Sequence, residues 1–134
     1  MLSLLLIYDQ LHFQSRWKGS MDAAEQIRSY YHAYETGDRA VVEQLLSNEF
    51  TFTSPLDDRI DRATYFAKCW PGNLHLRSFT LHQLVVDGQH ALIRYEAEWG
   101  HGTSFENVEH FELGRDQVTH IDVYFGSLPN DSSR

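Results

Sequence analysis

Apolar side chains recur three and four residues apart from residue 22, and from residue 75 onward they alternate every second residue. The first pattern predicts helices and the second predicts strands. Ile27, Tyr30, Tyr31 and Tyr34 form one helical stripe, opened by Asp22 with Glu25 three residues on and closed by Gly37. That is a capping-box start and a C-cap glycine. Asp38 caps a second short helix whose buried side is Val41, Val42, Leu45 and Leu46, and Phe50 to Thr53 reads as a short strand. Asp61 caps a third helix with Tyr65, Phe66 and Trp70 inward, and Pro71-Gly72 ends it.

The alternating half predicts antiparallel hairpins. A three-residue loop at Asp87-Gly88-Gln89 pairs Val86 with His90 and sets Phe79, Leu81 and Val85 on one face with Ile93, Tyr95 and Ala97. A loop at His101-Gly102-Thr103 pairs Trp99 with Phe105 and Ile93 with Phe111. In that register Asn107 and Glu109 join the apolar face, Glu109 opposite Tyr95, and burial brings Ile121, Val123 and Phe125 to the same side. The other face carries Arg94, Glu96, Glu98, His110, Glu112, His120, Asp122 and Tyr124, a mixed-charge surface suited to water or a second subunit. Three helices around one short strand, followed by a curved antiparallel sheet, predict an α+β architecture with the helices on one side of the sheet.

Length and composition narrow this picture. At 134 residues the chain is a single domain with enough length to bury a core. The net charge of −8, without a run of Lys or Arg, argues against a nucleic-acid surface. One cysteine, Cys69, rules out an internal disulfide and fits a reducing, cytoplasmic setting. The apolar run Leu2 to Ile7 is too short to cross a membrane. Residues 1–20 differ in texture from the rest and precede a second methionine, Met21, at a helix start. They are expected to be an extension outside the fold, with the folded domain over 21–128 and a polar tail over 129–134.

The stretches "IRSYYHAYETGDRAVVEQLLSNEFTFTSP", "GQHALIRYEAEW" and "FENVEHFELGRDQVTHIDVYFG" resemble the SnoaL-like and ketosteroid-isomerase-like branch of the NTF2-like superfamily. The resemblance spans roughly residues 22 to 126 and implies a cone-shaped fold, often dimeric through its outer sheet face. It specifies function poorly, because this fold hosts isomerases, cyclases, dehydratases, epoxide hydrolases and binding subunits. The isomerase pattern places its oxyanion-binding tyrosine on Tyr30 and its neutral hydrogen-bonding acid on Glu109; that isomerase is itself a standard example of such an acid. Its catalytic aspartate, immediately before the proline of the first strand turn, falls on Ser54, so the usual base is missing.

The candidate chemistry follows from both readings. Glu109, among apolar neighbours, is expected to have a raised pKa and to act as a proton donor. Tyr30 is a hydrogen-bond donor to a ligand, or a core tyrosine bonded to the backbone. Asp57 and Asp58, not separable from each other, either replace the missing base or serve as turn and helix-start residues beside Arg59 and Arg62. Asn107 is a candidate for orienting a ligand; Tyr95, Trp99, Phe52, Trp70 and Phe111 are candidates for lining a cavity; His101 sits in a turn at its rim. No histidine pair has the local spacing of a metal site, and no phosphate-binding glycine loop occurs, so neither metal nor cofactor is expected. The expected function is proton transfer on a hydrophobic, carbonyl-bearing small molecule by an isomerase, cyclase or dehydratase. The alternative is a non-catalytic ligand-binding or dimeric interaction module on the same fold.

Overall fold

The computed structural model describes residues 22–70 and 75–126. The extension over 1–20, the Pro71-Gly72 helix stop and the tail over 129–134 lie outside the described residues. Helix α1 (Ala23–Thr36) begins where Asp22 accepts a hydrogen bond from the Glu25 amide at 2.8 Å. It ends at Gly37, whose φ of 72° is left-handed, a conformation that favours glycine. Helix α2 (Arg39–Leu45) stops one residue earlier than its apolar spacing suggested, because Leu46 is already extended. Leu46 is buried from a strand as well as it would be from a helix, so spacing alone could not choose between them.

Strand β1 (Leu46–Ser54) is followed by β2 (Asp57–Asp61), α3 (Arg62–Cys69), β3 (Leu76–Asp87), β4 (His90–Trp99), β5 (Ser104–Leu113) and β6 (Val118–Phe125). The helices pack on a curved, open sheet in the order β2-β1-β6-β5-β4-β3. The α+β expectation holds, with one correction: the sheet is mixed, since β1 runs parallel to β6 while the other pairs are antiparallel. Alternation along a strand reports which face is buried, not which strand lies beside it. Asp57 and Asp58, read from the sequence as turn or helix-start residues, lie instead in β2 at the edge of the sheet.

Two hairpin registers also differ from expectation. At the β3–β4 turn the loop has two residues, with Asp87 opposite His90 and Gly88 at φ 60° as its first position. A glycine there suits the tight turns that match strand twist. Further along, Leu81 pairs with Tyr95 and Phe79 with Ala97, as the sequence suggested. An irregularity between Leu81 and Gln83 reconciles the two registers, so Leu84 turns inward and Val85 is 60% exposed. The β4–β5 hairpin is displaced by two residues: Tyr95 opposes Asn107, Ile93 opposes Glu109, and Ala97 opposes Phe105. A shift of two preserves the face, so Asn107 and Glu109 still point inward and both are buried. On β6, Ile121 and Val123 are buried, with Val123 opposite Glu109.

The core fills the space between the helices and the inner sheet face, and aromatic rings occupy much of it. Tyr31 meets Phe79 and Tyr95 at centroid distances of 5.1 Å, and Tyr30 meets Phe111 edge-on at 5.4 Å. Each such pair contributes about 0.5–1.5 kcal/mol beyond the area it buries. On the outer face His120 is a further correction, being buried rather than exposed. The Thr51 hydroxyl of neighbouring β1 lies 2.6 Å from its Nδ1, and Asp122 Oδ1 lies 2.8 Å from its Nε2.

Candidate functional site

Period-two alternation on β5 carries Asn107, Glu109 and Phe111 to the inner face, and helical spacing on α1 brings Tyr30, Tyr31 and Tyr34 over them. Between these elements and α3 lies a cavity of about 360 Å³. Of the residues singled out from the sequence, Glu109, Tyr30, Asp57, Asn107, Tyr95, Trp99 and Phe52 line it. Four do not. Asp58 is exposed on β2, and Phe111 is fully buried beneath Tyr30. Trp70 packs its ring 4.9 Å from that of Tyr34, and His101 is exposed in its turn, its Nδ1 3.0 Å from the Thr103 hydroxyl.

Glu109 is the chemically unusual member. It is only 5% exposed, and its Oε2 is buried without a hydrogen-bond partner. Among the described residues that line the cavity none is a Lys, Arg or His. Burial therefore pushes the carboxyl up from its ordinary 4.5 to about 7. The hydroxyls of Tyr95 and Tyr31 favour the ionised form and offset part of that rise. Tyr31 does so by proximity, since its hydroxyl makes no regular hydrogen bond. A carboxyl poised near neutrality can hold a proton at physiological pH and still release it.

Beside it runs a chain of phenols. The Tyr65 hydroxyl lies 2.5 Å from that of Tyr30 and also bonds the Tyr34 hydroxyl. Burial raises the pKa of all three, so they remain protonated donors across the physiological range. Tyr65 was legible in the sequence only as an inward residue of its helix. That α3 folds across α1 and brings three hydroxyls together is tertiary information. Asn107 is held at both ends, donating from Nδ2 to the Tyr95 hydroxyl at 3.2 Å and accepting at Oδ1 from the Gly126 amide at 3.3 Å.

At the other side of the cavity, Ser54 donates from Oγ to Asp57 Oδ2 at 3.1 Å, and Lys68 pairs with Asp57 Oδ1. The serine before the proline therefore touches a carboxylate three residues later, and both line the cavity. This separates the two aspartates that the sequence left equivalent. Cys69 also lines the cavity, but burial pushes its thiol up to about 12, so it is not a thiolate nucleophile.

The sequence profile of the SnoaL-like domain matches residues 27–121. The chain belongs to the SnoaL-like family. No curated protein matches it significantly in sequence. Among solved structures, IdmH from Streptomyces antibioticus, a suggested polyketide cyclase, overlays with a TM-score of 0.67 at 16% identity, over 77% of this chain and 91% of IdmH. A LEH-like epoxide hydrolase from M. tuberculosis overlays at 0.63 with 17% identity, over 75% of this chain and 79% of the hydrolase. A de novo designed protein with a curved β-sheet does so at 0.70 with 15% identity, over 84% and 92% of the two chains. At such identities the likeness shows the fold alone. For this SnoaL-like chain the side chains in the cavity must carry any argument about chemistry.

Proposed function

We propose that this SnoaL-like protein is a cofactor-independent enzyme that moves a proton on a hydrophobic, carbonyl-bearing small molecule. The observation that carries the reading is Glu109: a buried, incompletely bonded carboxyl near neutral pKa, facing an aromatic cavity. The aromatic rings that line the cavity suit an apolar substrate, and hydrogen bonds made where such a substrate displaces water are stronger than in bulk water.

Asp57 is the base in this scheme. Its carboxylate takes a proton from the carbon next to the carbonyl, and the C–H electron pair moves onto the carbonyl oxygen as an enolate. Protonated Glu109 and the Tyr30 hydroxyl donate hydrogen bonds to that oxygen and stabilise the developing charge. The proton then returns from Asp57 to another carbon, regenerating the carboxylate and giving an isomer. Lys68 and Ser54 hold Asp57 in place through both of its oxygens.

A non-catalytic binding role is the second reading. It is favoured by Ser54, which stands where the isomerase pattern has its acid. The two separate in heavy water. Apolar cyclic ketones incubated with the protein should exchange α-hydrogens for deuterium, measured by mass spectrometry. Asp57→Asn should abolish exchange while leaving ketone binding intact. Binding without exchange in the unmodified protein overturns the catalytic reading.

A further inference from the structure

We propose that His90, His110 and Glu112 form a zinc site on the outer face of the sheet, opposite the cavity. In the sequence the two histidines stand twenty residues apart, so no local motif announces them. Strand pairing brings them together: His90 lies opposite Glu112, and His110 is one inward-outward step away on β5. One ligand atom from each of the three falls within 4.8 Å of the others, and His90 Nδ1 is 2.9 Å from His110 Nε2.

Asp122 selects the tautomer of His110. Asp122 Oδ2 lies 3.0 Å from His110 Nδ1, and a carboxylate can only accept, so Nδ1 carries a proton. In the neutral ring His110 Nε2 is then a lone pair facing His90. Asp122 is itself anchored, its Oδ1 2.8 Å from His120 Nε2, whose Nδ1 lies 2.6 Å from the Thr51 hydroxyl. A carboxylate on the far nitrogen, itself hydrogen-bonded behind, is what orients zinc-bound histidines and raises their basicity.

The two rings are nearly coplanar, at 10° and 5.1 Å between centroids, with the nitrogens meeting head-on around one proton. Zinc takes the place of that proton at His90 Nδ1, and His90 adopts the other neutral tautomer with its proton on Nε2. Tetrahedral zinc needs its ligand nitrogens about 3.3 Å apart, so the rings part slightly and the exposed His90 turns towards the ion. Glu112 gives the third ligand and water the fourth. Two imidazoles and a carboxylate suit zinc or copper rather than magnesium or calcium. A second outer-face cluster, His82, Glu96 and Glu106, is a poorer candidate, because the Arg94 guanidinium already lies 3.1 Å from Glu106.

The test is calorimetric titration of zinc chloride into the full chain after chelator treatment and desalting. One ion should bind per chain, with a saturable heat. His90→Ala and His110→Gln should each abolish saturable binding, and Asp122→Asn should weaken it about 10–100-fold. His75→Ala should bind as the unmodified chain does. Thermal melting of the His90→Ala variant in chelator should match the unmodified chain, which separates loss of a ligand from loss of fold. Absence of saturable binding, or binding unaltered by both His90→Ala and His110→Gln, overturns the proposal.

Discussion

The hydroxyl of Tyr65 on α3 lies 2.5 Å from that of Tyr30 on α1, with Tyr34 bonded to the same oxygen. This bond ties two helices together at the cavity wall, between side chains that are themselves buried. Tyr65→Phe should therefore cost about 1–3 kcal/mol in urea unfolding, because Tyr30 loses its partner while buried.

Glu109 should leave a signature in stability as a function of pH. Its carboxyl titrates near 7 folded and near 4.5 unfolded, so between those values the folded state holds more protons. Stability is then full below about pH 4.5 and falls as pH rises through 7, by a total on the order of 3 kcal/mol. Glu109→Gln should remove this slope and be the more stable protein at pH 8. Denaturant unfolding of both proteins at pH 5 and pH 8 checks it, after allowance for slopes they share.

Gly126 closes β6 against β5. A Cβ there would stand 2.2 Å from the Glu106 carbonyl oxygen, which already accepts from the Gly126 amide at 2.8 Å. Gly126→Ala should force the strand ends apart and cost about 2 kcal/mol. The Asn107 Oδ1 contact with the same amide should loosen too, visible as faster hydrogen exchange at Gly126.

The irregularity in β3 makes a paired forecast. Leu84 is half-buried against the core and Val85 is exposed, the reverse of simple alternation from Leu81. Leu84→Ala should cost about 1–2 kcal/mol, whereas Val85→Ala should stay within about 0.5 kcal/mol of neutral. Equal effects would place the irregularity elsewhere.

These residues also mark how far the sequence could be read. Asp22, Gly37 and Asp61 each announced a helix end, because capping is a matter of a few adjacent residues. The inward direction of Glu109 was legible because a strand has only two faces. Its partner was not: hairpin register depends on turn geometry, and a slip of two residues leaves the hydrophobic pattern unchanged. The parallel pairing of β1 with β6 and the meeting of Tyr65 with Tyr30 join segments far apart in the chain. No local pattern encodes either. His90 and His110 were invisible as a pair for the same reason.

Glu109 is expected to keep a proton near neutral pH because it is buried and, among the described residues, no Lys, Arg or His lines the cavity beside it. Carbon-13 NMR of the labelled Glu109 side-chain carboxyl, assigned by comparison with Glu109→Gln and followed from pH 3 to pH 9, measures this directly. A midpoint close to 7 is expected. A midpoint near the ordinary 4.5 would contradict the account, since the carboxyl would then be ionised at neutral pH with no proton to donate.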